Sequence, residues 1–193
     1  MTPVEVSSRS SFTFRPVTRA DFPLVARWLA TPDVARWWNQ DHDPASLEKQ
    51  FGPVIDGETP AEDLVVEGDG EPIGLLQRCR IADFPDYVDE LEPVIGPVGP
   101  TTFTIDYLIG VPGLLGRGIG PAVIAAACAD TFARNPDADR ILVPVVAANR
   151  RSWRALDKAG FRIVASGEMT PDNPIDDRRH HVLALDRPAV GAR

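Results

Sequence analysis

The chain has 193 residues, 44% of them hydrophobic, and its 28 acidic side chains against 20 lysines and arginines give a net charge of −8. That is about one domain's length, with apolar content enough for a real core. The acidic balance argues against a nucleic-acid partner, which needs a basic footprint; it suits a cationic substrate, which an acidic cleft concentrates, and equally suits solubility alone.

Residues 1–11 are polar, lack the apolar stretch of a signal peptide, and are expected as a flexible tail. Residues 12–187 are expected to form one domain and 188–193 a second tail. Phe12–Pro16 reads as a short strand stopped by its proline. Thr18 or Asp21 caps a helix with Phe22, Val25, Ala26, Trp28 and Leu29 on its apolar face. Pro32, suited to a first turn, opens a second helix that ends near Trp37-Trp38-Asn39. A third helical piece covers 44–51. Asp63–Glu67 is a strand, Gly68-Asp69-Gly70 a hairpin turn, and Pro72–Arg80 its partner. The acidic, proline-rich stretch from Ile81 to Pro100 reads as a long loop, and loops of that length tend to be functional.

Thr102–Ile109 is strongly strand-like. A helix from about Gly118 to Arg134 ends at Asn135-Pro136. Arg140–Val146 is a strand, Asn149–Lys158 a helix that Gly160 terminates, and 161–167 and 180–185 are strands. The order β, α, α, β, β, β, α, β, α, β, β predicts an α+β (mixed α/β) fold, a mixed sheet with helices on its faces. No apolar run approaches the roughly 20 residues that span a bilayer, so a cytoplasmic protein with no membrane partner is expected. Cys79 and Cys128 make no disulfide framework and no zinc cluster, and Cys128 is expected in a helix core. His42, His180 and His181 have no metal-ligand spacing, so no metal is expected; of the adjacent pair His180 and His181, one is expected to face solvent.

Two segments carry chemistry. The first is Leu115-Gly116-Arg117-Gly118-Ile119-Gly120 between a strand and a helix. Glycines let backbone approach a ligand, and the unpaired N–H groups of a helix start favour an anion such as a pyrophosphate. No Lys-Ser/Thr follows, so this is not a Walker motif. Position 123 is Val, so it is not the dinucleotide fingerprint either. The second runs from Asn149 to Phe161 and joins a strand end to a helix, a glycine stop and another strand. Alone, it is a common corner.

Together the two segments resemble the core of the GNAT acyltransferase superfamily from about Thr102 to Val164. The resemblance implies a mostly antiparallel sheet flanked by helices, with a splayed strand pair at the cofactor cleft and acetyl-CoA as cosubstrate. It implies backbone contacts from Leu108 and Ile109 to pantetheine, and from Arg117, Gly118, Ile119 and Gly120 to pyrophosphate. Asn149 then lies near the pantetheine or cysteamine end. Ile105-Asp106-Tyr107-Leu108-Ile109-Gly110, Leu29 through Trp37-Trp38, and Gly70-Glu71-Pro72-Ile73-Gly74 further resemble the aminoglycoside 6′-N-acetyltransferase branch, from about Phe14 to Asp186. That likeness implies a catalytic, amine-facing Asp106, a sugar-stacking Trp37 or Trp38, and Asp86 as a looser acidic grip on the substrate. It departs from the branch at Leu156, which stands where the branch places a tyrosine near the thiolate leaving group. Tyr107 and Ser152 are alternatives, as is solvent, although Tyr107 alternates to the opposite face from Asp106.

The chemistry of each residue is weighed against a plain structural role. An alkylammonium of pKa about 10.4 is neutral in roughly one molecule in 10³ to 10⁴ at pH 7, so a carboxylate that accepts its proton contributes about 10²–10⁴-fold. Asp106 paired to a nearby arginine is the competing reading. Trp37 and Trp38 are adjacent and cannot both face one core, so at least one is expected on a cleft, where it can stack on a sugar or cation. Asp83, Asp86, Asp89, Glu90 and Glu92 line either a cation site or a solvated loop.

The expected activity is acetyl transfer to a primary amine of a small cationic acceptor, with aminoglycosides, and hence antibiotic resistance, the named candidates. The alternatives are a siderophore-pathway lysine or hydroxylysine N-acyltransferase, a branch with histidine where this chain has Asp106, and a non-catalytic acyl-CoA-binding protein. A homodimer is left open.

Overall fold

Seven strands build one sheet in the order β1-β2-β3-β4-β5-β7-β6: β1 (Phe12–Pro16), β2 (Ala61–Gly68), β3 (Glu71–Arg80), β4 (Thr102–Ile109), β5 (Arg140–Val146), β6 (Arg162–Glu168) and β7 (Arg179–Asp186). The computed structural model describes residues 6, 7 and 10–189. The expected tails fall partly outside these residues, at 1–5, 8, 9 and 190–193, while Val6 is buried in the core beside Ile73. Every strand pair is antiparallel except β4–β5. The expected mixed, mostly antiparallel sheet is therefore the one observed.

Strand alternation divides the core in two. Leu64, Val66, Leu76, Phe103, Ile105, Ile141, Val143 and Leu183 pack beneath α5 (Ile119–Arg134) and α6 (Arg150–Lys158). On the other face, Val65, Leu75 and Leu108 receive α1 (Phe22–Leu29), α2 (Pro32–Trp38) and α3 (Pro44–Ile55). Further along that face, Leu142, Val182 and Ala184 receive α4 (Pro85–Ile95). Two apolar clusters thus share one sheet face, and the gap between them is open to polar residues.

The helix starts follow local chemistry. Asp43 accepts from the backbone N–H of Ala45 at 3.0 Å and of Ser46 at 3.2 Å, which caps α3. α3 runs on past Phe51 to Ile55 although Pro53 lies inside it. Leu47, Phe51 and Ile55, spaced four apart, carry its buried stripe onto the sheet, and that burial offsets the hydrogen bond Pro53 cannot donate.

The stretch from Ile81 to Pro100 is not the loop its composition implies. A short 3-10 turn (Ile81–Asp83) leads into α4. Pro85 occupies the first turn, where a proline removes no helix bond, and Gly96 (φ 79°) ends the helix. The fully buried Leu91 anchors it, with Tyr87, Val94 and Ile95 packed around. Prolines that read as loop signals are here a helix start and a tolerated interior residue.

The feature that shapes the site is the parting of β4 from β5. They pair only at Thr102↔Arg140 and Phe103↔Ile141. Beyond that point residues 104–109 of β4 keep their ladder with β3 but have none with β5. Pro144, which has no N–H to offer, sits in the part of β5 that has lost its β4 neighbour.

Candidate functional site

A cleft of about 580 Å³ opens where β4 and β5 part. Its two ends carry opposite charge.

One end is built by the glycine loop and α6. Gly116 (φ 76°) and Gly118 (φ 78°) both take the left-handed conformation that a Cβ disfavours. Gly118 caps α5, a 16-residue helix whose first N–H groups have no intrahelical partner and whose dipole is positive at this end. Gly116, Gly118 and Gly120 line the cleft. Ile119 turns its side chain into the core, 1% exposed, so only its backbone is available to the loop. Arg117 is exposed and its side chain is not part of the lining. Across the cleft, Arg150, Arg154 and Lys158 lie four residues apart on α6, on one helical stripe, and all three line this end. None has an ion-pair partner among the described residues. The corner-like look of Asn149–Phe161 conceals this stripe, yet the spacing was readable from the sequence.

Leu108 and Ile109 line the middle of the cleft, along the stretch of β4 that lacks a ladder with β5. Asn149 lines it too, while its Oδ1 accepts from Ser152 N at 3.2 Å and so caps α6. Ser152 Oγ lies 3.0 Å from the Tyr107 hydroxyl, on the opposite sheet face from Asp106 as alternation requires. Burial pushes the Tyr107 hydroxyl well above its ordinary value. Leu156, one turn further along α6, is fully buried.

The other end is acidic. Asp106 is solvent-exposed within the open cleft, with protein crowded around the cleft walls. Desolvation by those walls, reinforced by the charge of Asp172, pushes its carboxyl up to about 6. Asp172, in the β6–β7 connection, is itself raised by burial, with His180 opposing the shift and Glu90 adding to it. Asp33, Asp172 and His180 line the cleft although the sequence reading singled out none of them for it. Their closeness depends on the fold of the 170–178 connection, which no local pattern announces.

Trp37 and Trp38 are half-buried and both line this end. The Arg36 guanidinium sits 4.1 Å from the Trp37 ring centre and forks onto Asp176 at 2.5 and 2.7 Å. Asn173 donates to Arg36 O at 3.1 Å, and Asn39 to Asp172 O at 3.2 Å. α2 is therefore tied to the 172–176 segment, while Arg151 of α6 reaches Asp33 of α2 at 3.0 Å. Asp86 is not brought to the cleft. It is exposed on the first turn of α4, and from that helix Tyr87 turns inward, its hydroxyl 3.4 Å from Thr104 Oγ1.

Comparison with known proteins places this architecture. The acetyltransferase (GNAT) domain family matches residues 17–169, and the chain belongs to that family. The aminoglycoside N(6′)-acetyltransferase type 1 of Klebsiella pneumoniae is 27% identical over 174 residues, 89% of this chain and 83% of that protein. The lysine N-acyltransferase MbtK of Mycolicibacterium paratuberculosis is 23% identical over 179 residues, 93% and 75% of the two chains. Among solved structures, aminoglycoside acetyltransferase AAC(6′)-Ib in complex with coenzyme A and kanamycin shares the fold with a TM-score of 0.76 at 22% identity, over 92% of this chain and 95% of that one. The protein is thus a GNAT acetyltransferase, similar to enzymes that acetylate aminoglycosides. No helix among the described residues is long and apolar enough to cross a membrane.

Proposed function

We propose that the chain transfers an acetyl group from acetyl-CoA to a primary amine of a small cationic acceptor of the aminoglycoside kind. The observation that carries this reading is a single cleft with a basic, glycine-lined end and an acidic, tryptophan-lined end, joined where β4 and β5 part. Such a cleft suits a polyanion and a polycation that must meet in the middle.

The residues present fit a coenzyme A molecule. The Gly118, Ile119 and Gly120 backbone, with the Arg117 backbone beside it, suits the pyrophosphate; Arg150, Arg154 and Lys158 supply compensating charge. Ile109 offers strand backbone that β5 leaves unpaired for the pantetheine amides, with Leu108 and Asn149 lining the cleft alongside. When bound, acetyl-CoA supplies the acyl group as a thioester.

Asp106 accepts the proton of the acceptor ammonium and leaves a neutral, nucleophilic amine. A carboxyl near 6 is a stronger base than an ordinary aspartate and is still largely ionised at neutral pH. Trp37 and Trp38 stack on the acceptor, Asp172 attracts its charge while Asp33 is held by Arg151, and Asp86 acts only as a more distant part of the acidic surface. Tyr107 and Ser152 present hydroxyls at the thiol end.

The similarity to a lysine N-acyltransferase supports a second reading, with a lysine-like side chain as acceptor. An aspartate at 106, where that branch carries histidine, weighs against it. The reading implies a cytoplasmic enzyme and, where a drug is the acceptor, antibiotic resistance. A thiol-release assay with acetyl-CoA against aminoglycosides, polyamines and amino acids tests it. Release with aminoglycosides supports the proposal; release with none of the amines sinks it.

A further inference from the structure

His180 and His181 are neighbours on β7 with opposite fates. His181 behaves as an ordinary strand histidine: its Nδ1 meets Ser166 Oγ at 2.8 Å and its ring packs edge-on against Trp153. His180 is 6% exposed and lines the acidic end of the cleft. It shares a sheet face with Val182 and Ala184, the face that also carries Asp106.

Its Nδ1 lies 2.8 Å from the carbonyl oxygen of Arg178. A carbonyl only accepts, so Nδ1 carries a proton, and in the neutral ring that leaves Nε2 as an acceptor; the carboxylates of Asp172 and Asp176 are the charged groups that act on this ring. Nε2 has no hydrogen-bond partner among the described residues. A polar side chain this deeply buried, with its one free atom at a cleft, is in its neutral form an acceptor awaiting a donor.

The sheet order says which donor. β7 lies two places from β4, with β5 between them. At ordinary strand spacing that separates the two strands by about 10 Å, and the parting of β4 from β5 adds to it. His180 and Asp106 therefore serve different groups of one molecule. We infer that His180 determines acceptor specificity: its Nε2 accepts a hydrogen bond from an amine or hydroxyl at a group other than the reacting nitrogen. The acceptor is then a molecule with a second donor on the order of 10 Å from its reactive amine, such as a polyamine built on hydroxylated rings. A lone alkylamine cannot use the contact. This inference rests on the proposed amine-acceptor function.

Two substitutions separate the ring atoms. His180→Asn keeps a donor near the Nδ1 position and removes the group at Nε2; His180→Gln keeps a polar group near Nε2 and gives up the bond to Arg178. Thiol release is measured with kanamycin and with aminomethyl-tetrahydropyran, a primary amine on a ring stripped of hydroxyls. Kanamycin affinity for the coenzyme A-loaded protein is measured alongside by calorimetry. His180→Asn is expected to raise the KM and Kd for kanamycin about tenfold, the loss of one hydrogen bond. Its kcat should stay within about twofold, with no change of KM for the stripped amine. His180→Gln is expected to recover most of the kanamycin affinity. An active wild type with His180→Asn unchanged on both acceptors overturns the inference alone. Equal KM losses on both acceptors together with a lowered Tm make His180 structural and overturn it as well. A wild type that releases thiol with neither amine removes the acceptor function, and this inference with it.

Discussion

The Tyr107 hydroxyl lies 3.0 Å from Ser152 Oγ, and it gets there from the strand, not from the helix. A helical side chain leans over the turn before its own Cα. A tyrosine at position 156 would therefore place its hydroxyl near the turn that contains Ser152. Leu156 has no hydroxyl to bring, and Tyr107 reaches the same turn from β4 instead.

The pair is expected to stabilise the leaving thiolate by a hydrogen bond to charge, worth about 1.5–3 kcal/mol. Tyr107→Phe and Ser152→Ala should each lower kcat by roughly 10- to 100-fold, and the double variant by less than the product, because the two act as one unit. Thiol-release kinetics with acetyl-CoA check this. Losses of no more than a few-fold would assign the proton to solvent.

Asp106→Asn should keep coenzyme A affinity and lower kcat/KM by about 10²-fold or more. The amide keeps the shape but loses charge and basicity. Because desolvation and Asp172 raise the Asp106 carboxyl to about 6, the wild-type kcat/KM should rise as pH increases through that value, and the variant should lose this limb. A pH series on both proteins checks the shape; normal kinetics at every pH would remove the catalytic role.

Gly118→Asp should abolish coenzyme A binding in calorimetry. The substitution puts a Cβ on a residue at φ 78° and a carboxylate at the positive end of α5. Arg154→Ala should weaken binding more mildly, and the deficit should shrink as salt screens the basic stripe. Unchanged affinity in Gly118→Asp would detach the glycine loop from the cosubstrate.

Asp63 supplies a stability test. It is 5% exposed, accepts from Gln77 Nε2 at 2.6 Å, and leaves its Oδ2 without a partner among the described residues. Burial raises its carboxyl to about 6 against the bond from Gln77. A folded-state value above the unfolded value of about 3.9 means the fold prefers the protonated form. That contribution is complete below about pH 4 and is lost as pH rises through about 6. Asp63→Asn should therefore stabilise the protein at neutral pH by about 1–3 kcal/mol, with the gain vanishing near pH 4. Thermal unfolding of both proteins at the two pH values checks the sign.

Local pattern was enough for the strands and for most helices. Short apolar, β-branched runs such as Thr102–Ile109 and Arg140–Val146 coincide with β4 and β5, because central strands covered on both faces bury consecutive side chains. The glycine loop was legible for a similar reason: left-handed backbone before a helix admits few residues other than glycine. α4 was not legible, because Pro85 and Pro93 mark loops in local statistics and only the packing of Leu91 under β6 and β7 makes the segment a helix. The cleft itself belongs to the tertiary structure. Asp33, Asp106 and the Asp172–His180 stretch come from three distant segments, and they converge because β4 leaves β5 after two pairs and Arg36 ties α2 to the 172–176 connection. Sequence determined which residues could carry acetyl transfer, since chemistry resides in side chains and in the backbone turns they permit. Which of them face one another was decided by long-range pairing and burial, which no window along the chain contains.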